Sequence, residues 1–171
     1  MGGRPVRGAA GPGRSGEVGL NGARQAENGK HPPHVTSILL VGFAGHELDF
    51  LRHLFHCPEC PRARNCEWAI EIQASVGATL TALRTACFHV VLCDDDRMPH
   101  AWKELLAGFE GFSQPPSLIV TSRLADERLW AEALNLGAYD LLARPFDAAE
   151  VLRSVRLARW HWQSAPAPRP S

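Results

Sequence analysis

Three short polar stretches carry the groups of this chain that could do chemistry. Asp94–Asp96, Thr121 and Arg144 each come directly after a run of apolar residues. Adjacent carboxylates repel one another and attract a cation, although three in sequence form no closed ligand set. Arginine keeps its charge and can fork onto a phosphate group. These residue types indicate a site for a phosphate group, for a cation, or for both.

The apolar runs alternate with stretches of helical spacing, so the chain predicts five strands that are each followed by a helix. The predicted strands span residues 37–42, 66–73, 89–93, 116–121 and 139–143, and the predicted helices span 46–55, 76–87, 101–109, 125–136 and 147–162. Gly137 can end the fourth helix, and Asp147 can cap the fifth. Parallel strands need such crossovers, so we expect a parallel sheet with helices on both faces. A site in such a sheet lies at the carboxyl ends of the strands, where the three polar stretches fall.

At these strand ends the sequence resembles the receiver domain of two-component response regulators. Receivers have a phosphoacceptor Asp at the end of strand three, often followed by Met-Pro. They also have Thr or Ser at the end of strand four and Lys-Pro-Phe after strand five. The matching stretches here are Cys93–Pro99, Thr121-Ser122 and Arg144-Pro145-Phe146, and residues 119–155 look like the family's second half throughout. The resemblance covers about residues 37–162, and it implies a flavodoxin-like (βα)5 doubly wound fold with strand order 2-1-3-4-5.

The resemblance also implies a chemistry. In receivers a carboxylate nucleophile takes a phosphoryl group from a donor, and Mg²⁺ neutralises the charge that the transfer concentrates. The Lys pairs with the phosphoryl oxygens, and the Thr or Ser hydroxyl and an aromatic residue of strand five respond. Thr121 and Arg144 are therefore the phosphate-contact and switch candidates here. Arg144 is bulkier than the usual Lys, Leu141 stands at the aromatic position, and the peptide bond before Pro145 is expected to be cis.

The Mg²⁺ ligands are where the sequence departs furthest from the family. Two acidic residues after strand one should fall at about Gly42 and Phe43, and neither residue can ligate a hard cation. Glu47 and Asp49 come later, inside the first helix, and are expected to point elsewhere. We therefore expect no catalytic residue, no firm metal site and no cofactor, with Mg²⁺ as a doubtful candidate.

Two ways of counting along the sequence assign the phosphoacceptor to different aspartates. Counting back from Met98-Pro99 selects Asp95, whereas counting forward along the strand selects Asp94, which also keeps its spacing to Trp102 in the next helix. We favour Asp94 and keep Asp95 as a candidate. The alternative to both is a solvated acidic turn that caps the following loop.

Cysteines and histidines cluster in residues 51–66, LRHLFHCPECPRARNC, at the end of the first helix and in the loop after it. Cys57 and Cys60 have a zinc-like spacing, and Cys66 and His56 could complete a tetrahedral set. A second well-spaced pair is missing, and the two prolines suit a plain loop. Ordinary loop cysteines are the preferred interpretation, with a zinc site and a redox pair as alternatives.

Composition restricts the remaining possibilities. The 171 residues suit one domain with tails: a disordered Gly/Arg/Pro-rich tail over 1–34, a receiver-like domain over 35–162 and a second tail over 163–171. The chain has 18 basic and 18 acidic residues, so its charge favours neither nucleic acid nor membrane as a partner. It has no apolar run of membrane-spanning length and no secretory signal. Five cysteines without such a signal indicate reduced thiols in the cytoplasm.

The sequence therefore predicts a stand-alone receiver-like module in phosphorelay signal transduction, not an enzyme. It would act through protein–protein contacts with weak or no phosphorylation. The resemblance implies a sensor histidine kinase or another regulator as partner, and a homodimer through the face of helix 4, strand 5 and helix 5. One alternative is an Asp-phosphorylated receiver with an atypical metal site. A flavodoxin-like enzyme and a zinc-binding protein are alternatives of another class, although residues 42–47 have two glycines and no P-loop or GxGxxG pattern.

Overall fold

Strands and helices alternate along the part of the chain that the structure describes. The computed structural model describes residues 35–56 and 68–165. The strands are β1 (Thr36–Val41), β2 (Trp68–Gln73), β3 (Val90–Asp94), β4 (Ser117–Ser122) and β5 (Asp140–Ala143). The helices are α1 (Gly45–His56), α2 (Val76–Thr85), α3 (Ala101–Phe109), α4 (Glu127–Asn135) and α5 (Ala148–Ser164).

The strands form one sheet in the order β2-β1-β3-β4-β5, and each neighbouring pair is parallel. This confirms the predicted flavodoxin-like doubly wound fold. All side chains of β3 and β4 are buried, because central strands of a parallel sheet are covered on both faces. That is why both strands are continuous apolar runs until their last residues, and why polar groups at those ends stand out in the sequence.

Two apolar layers hold the sheet between the helices. Alternate residues of β1 point to opposite faces, so Ile38 and Leu40 lie in one layer and Leu39 and Val41 in the other. The first layer takes side chains from α1 and α5, and the second takes side chains from α2, α3 and α4. Trp102 of α3 is the largest side chain that is fully buried. The helices are thereby fixed to the sheet, and their first turns stand above its carboxyl edge.

Short polar side chains define where several helices begin. Ser75, Asp126 and Asp147 accept hydrogen bonds from the backbone N–H groups three residues later, at 3.2, 2.7 and 2.9 Å. These contacts satisfy donors that have no partner inside a helix. Gly137 follows the end of α4 with φ of +105°, a conformation that a side chain would strain. The predicted roles of Asp147 and Gly137 are both confirmed.

Some element ends differ from the prediction for local reasons. Helix α2 stops at Thr85 because Ala86 is extended, and α4 starts at Glu127 because Asp126 is its cap. Helix α5 continues to Ser164, two residues into the predicted tail. The tail residues 1–34 and 166–171 lie outside the described residues. Within residues 35–56 and 68–165, none of the helices is long and apolar enough to cross a lipid bilayer.

Candidate functional site

Parallel pairing brings the ends of β3, β4 and β5 together at one edge. Asp94 is the last residue of β3 and pairs in register with Thr121 of β4. Arg144 follows β5 directly, and its backbone N–H donates to the carbonyl of Ser122 at 3.1 Å. The three residues that the sequence assigned to different strand ends are therefore neighbours. The peptide bond between Arg144 and Pro145 is cis, as predicted.

Asp94 is completely buried. Its Oδ1 accepts hydrogen bonds from the backbone N–H groups of Asp96 at 3.0 Å and Arg97 at 3.2 Å, and it also accepts one from the Arg144 guanidinium. Oδ2 is buried and has no hydrogen-bond partner among the described residues. One carboxylate oxygen is thus saturated by donors, while the other is left without any.

The Arg144 side chain is only 3% exposed and reaches three carboxylates. Besides Asp94, it contacts Oδ2 of Asp96 at 2.7 Å and Oε1 of Glu47 at 3.4 Å. The guanidinium also lies 5.8 Å from the ring centre of Phe146, within reach of a cation–π interaction. Arg144 therefore supplies the positive charge at the centre of this edge.

The three consecutive aspartates accept hydrogen bonds from different backbone N–H groups. Asp95 accepts from the backbone N–H of His100 at 2.9 Å and so closes the turn before α3. Asp96 accepts from the hydroxyl of Ser122 at 3.1 Å and from the backbone N–H of Arg123 at 2.9 Å. Of the two acceptor candidates, Asp94 is the one whose side chain contacts Arg144, whereas Asp95 serves the turn.

Glu47 corrects the expectation that the acidic residues of the first helix point away. Its Oε1 contacts Nη2 of Arg123 at 2.8 Å and Nη1 of Arg144 at 3.4 Å. Helix α1 begins at Gly45, directly above the end of β1, so its first turn overhangs the site. Burial alone would raise the pKa of Glu47, but the hydrogen bond from Arg123 and the nearby charges of His46 and Arg144 outweigh it and lower the pKa. Asp49, by contrast, is exposed.

No carboxylate stands at the end of β1. Gly42 has φ of +81°, and a Cβ atom there would lie 2.9 Å from Sδ of Met98. Phe43 is buried, and its ring lies 6.3 Å from that of Phe146. Both positions are therefore committed to packing: at Gly42 a side chain would have to displace that of Met98, and Phe43 fills the core.

Two further candidates are buried. Thr121 donates its hydroxyl to the carbonyl of Cys93 at 3.4 Å, and Leu141 packs in the layer shared with α4.

Burial, together with the charges of Asp95 and Asp94, raises the pKa of Cys93 to about 12. Cys93 therefore stays a thiol inside the core.

A cavity of about 330 Å³ opens beside Arg144. Its lining combines charged and aromatic side chains: His46, Glu47, Phe50, Arg123, Arg144, Pro145 and Phe146. The rings of Phe50 and Phe146 stack 5.9 Å apart and form its apolar wall.

The proposed zinc ligands cannot be located in the same way. Cys57, Cys60 and Cys66 lie outside the described residues, and His56 is exposed at the end of α1. Among the residues that the structure describes, no three His, Cys, Asp or Glu side chains are grouped so as to hold a metal ion.

Several solved receiver domains have a similar arrangement of strands and helices. The signal receiver domain of an HD domain-containing protein from Pseudomonas fluorescens Pf-5 has a TM-score of 0.61 at 23% identity, over 75% of this chain and 98% of that one. This chain has the receiver fold. A CheY-like receiver domain protein from Methanospirillum hungatei JF-1 has a TM-score of 0.61 at 18% identity, over 77% of this chain and 99% of that one. The receiver domain of Francisella response regulator 1452 has a TM-score of 0.60 at 17% identity, over 74% and 98%.

These identities are too low to carry more than the fold, and no family model or curated protein matches the sequence. The details of the site therefore rest on this chain's own geometry. The sequence predicted that Asp94, Thr121 and Arg144 share this edge because each lies at or directly after the end of a predicted strand. That prediction missed Glu47 and Arg123, which lie in a helix and a loop; the signal that could have found Glu47 is its position in the first turn of a helix that follows β1.

We expect the Asp94–Arg144 pair to dominate the stability of this edge. Replacing Arg144 with Met leaves the buried Asp94 carboxylate without its cation, which should lower the free energy of unfolding by about 3–5 kcal/mol. Urea denaturation of the wild type and the variant measures the loss. Arg123→Met is the matched control, because Arg123 is 63% exposed and should lose much less.

A double-mutant cycle checks that this loss belongs to the pair. Arg144→Met combined with Asp94→Asn should cost less than the sum of the two single losses, because the uncompensated charge is then gone. Additive losses would contradict a direct interaction between the two side chains.

We also expect Gly42 to tolerate a side chain less well than Gly45. Both residues have positive φ, but a Cβ at Gly42 would meet Met98, whereas one at Gly45 would meet nothing within 4 Å. Gly42→Ala should therefore lower the free energy of unfolding by about 1 kcal/mol more than Gly45→Ala. Thermal or urea unfolding gives both values. The difference should shrink in a Met98→Ala background, and an unchanged difference would rule out the steric cause.

Proposed function

We propose that this chain is a receiver-like signalling module that works through protein contacts, with little or no phosphorylation of Asp94. The observation that carries the proposal is the buried Arg144 guanidinium, which binds the carboxylate that would have to act as nucleophile. A carboxylate oxygen that already accepts three hydrogen bonds is a poor nucleophile. Attack by its other oxygen would have to occur in a completely buried place.

The charges around Asp94 support the same proposal. Phosphoryl transfer needs positive charge where the phosphoryl oxygens develop theirs. Here the guanidinium groups of Arg144 and Arg123 are already paired with Glu47, and Arg144 is also paired with Asp96. An incoming phosphoryl group would have to compete with Glu47 for both cations and with Asp96 for Arg144.

The side chains at this edge do not fit Mg²⁺, which prefers six oxygen ligands in octahedral geometry. Gly42 and Phe43 contribute no side-chain oxygen. Oδ1 of Asp94 is occupied by N–H donors, and the Arg144 guanidinium lies between the carboxylates of Asp94, Asp96 and Glu47. The guanidinium has taken over the role of neutralising these acids.

One observation favours a phosphorylated receiver with an atypical metal site instead. Oδ2 of Asp94 has no partner among the described residues, and a buried oxygen without a donor is costly. Movement of Arg144 would remove the cation that contacts both Asp94 and Glu47. This alternative needs the site to open, whereas the proposed function does not.

For the partner, we propose the face formed by α4, β5 and α5. Trp130 of α4 is 50% exposed and Trp160 of α5 is 67% exposed. Tryptophan is enriched among residues that dominate binding energy in protein interfaces. A second copy of this chain, a sensor histidine kinase or another regulator are the candidate partners, and the protein would act in the cytoplasm.

The decisive test is incubation with acetyl phosphate and Mg²⁺, followed by intact mass measurement. We expect the wild type to gain no phosphoryl group, because Arg144 holds Asp94 and the Mg²⁺ ligands are missing. A phosphorylatable receiver domain treated in parallel controls for the reagent. A phosphoryl adduct that disappears in Asp94→Asn would overturn the proposal in favour of the alternative, and one that disappears only in Asp95→Asn would move the acceptor by one residue.

Sedimentation velocity over a wide concentration range tests whether the face formed by α4, β5 and α5 is a dimer interface. If the partner is a second copy, the wild type should form a dimer that Trp130→Glu and Trp160→Glu both dissociate, because a buried charge disfavours the interface. Val35→Glu is the control. Val35 is an exposed apolar residue just before β1, a strand that β3 and β4 separate from β5 in the sheet. A dimer that survives both tryptophan variants would exclude this face, and a wild type that stays monomeric would exclude the second copy.

A further inference from the structure

We infer that Asp96 is the resident ligand of an oxyanion site built by Ser122, Arg123 and Arg144. When the Asp96 carboxylate is removed, the same donors would take a free oxyanion such as inorganic phosphate. The inference goes beyond the proposed function, because it concerns noncovalent binding to a different residue and does not depend on whether Asp94 is phosphorylated.

The donors converge on both oxygens of Asp96. The Ser122 hydroxyl lies 3.1 Å from Oδ1, and the Arg123 backbone N–H lies 2.9 Å from Oδ2 and 3.3 Å from Oδ1. Nη2 of Arg144 lies 2.7 Å from Oδ2. A hydroxyl, a main-chain amide and a guanidinium thus surround one carboxylate. This set of donors also suits phosphate, since charge-assisted hydrogen bonds to an anion are the strong ones.

The site is built rather than accidental, because its donors are held in place by the fold. Ser122 is the last residue of β4 and is 2% exposed, and the Arg144 side chain is 3% exposed. The backbone N–H of Arg144 is bonded to the carbonyl of Ser122. The Ser122 hydroxyl and the Arg144 guanidinium are buried donors that Asp96 satisfies. Buried donors are costly when they are left without an acceptor, so this edge needs an anion.

Asp96 is tethered where it can serve as that anion. Its own backbone N–H donates to Asp94 at 3.0 Å, which fixes the turn after β3. A ligand held on the same chain competes at an effective concentration in the millimolar range or above. Free phosphate should therefore bind the wild type weakly.

The contact between Ser122 and Asp96 also positions the loop between β4 and α4. The Ser122 oxygen that donates to Asp96 also accepts from the backbone N–H of Leu124 at 3.1 Å. Leu124 is 78% exposed and packs little against the core. Asp96 therefore joins the turn after β3 to the loop after β4 through polar contacts, and replacing this carboxylate should change the loop.

The test is titration of the Asp96→Ala variant with inorganic phosphate, at constant ionic strength set with chloride. Calorimetry and the amide resonance of Arg123 report binding. We expect phosphate to bind the variant at least about tenfold more tightly than the wild type, because the tethered competitor is gone. The Arg123 resonance should move on mutation and move again when phosphate binds.

Asp95→Ala is the matched control, because its carboxylate belongs to the same turn but bonds, among the described residues, to the backbone N–H of His100 alone. It should bind phosphate no better than the wild type. Adding Ser122→Ala to Asp96→Ala should weaken phosphate binding again. Asp96→Gly also vacates the site, and should bind phosphate more tightly than the wild type if the alanine variant does not fold.

Three results would overturn the inference. One is a folded Asp96 variant that binds phosphate no more tightly than the wild type. Another is an Asp95→Ala control that gains as much affinity, which would mean nonspecific attraction to the surface arginines. The third is an Asp96→Ala protein whose phosphate affinity does not depend on Ser122.

Discussion

A single buried guanidinium organises the carboxyl edge of this sheet. Burying the Arg144 and Asp94 side chains costs each of them its hydration, and such a cost is offset only when the geometry is good and the remaining hydrogen bonds are made. The chain meets most of that requirement with backbone groups: two N–H donors of the turn after β3 also bind Asp94. The turn, the end of β5 and the first turn of α1 must therefore keep their positions together.

Using an arginine as the central cation has consequences that a metal ion would not have. A guanidinium is covalently part of the fold, keeps its charge at any ordinary pH, and bonds in fixed directions. It cannot be withdrawn by a chelator or exchanged with the solvent. An edge neutralised in this way stays in one electrostatic state, which suits a module that presents a constant surface to a partner. It does not suit a site that must accept and lose a charged group repeatedly.

The sequence predicted the fold well because the fold follows from periodicity. Buried central strands must be apolar on both faces, so β3 and β4 appear as apolar runs, and their polar last residues mark the edge. The prediction for Glu47 was wrong because it did not allow for the first turn of α1, which lies at the carboxyl edge soon after β1 ends. The partners of Asp94, Asp95 and Asp96 were equally out of reach, since adjacent side chains in a turn diverge by an amount that only the backbone dihedral angles fix.

The departures from the receiver pattern depend on one another sterically as well as electrostatically. A carboxylate at position 42 would need the space that Met98 fills, and it would need a backbone conformation that residues other than glycine adopt at a cost. It would also stand at the edge where Arg144 already neutralises the acids. A lysine in place of Arg144 would release part of the pairing with Glu47 and Asp96 but would not create room beside Gly42. A metal-binding edge would therefore require coordinated changes after β1, in the turn after β3 and after β5, because any one change alone adds strain or an unpaired charge.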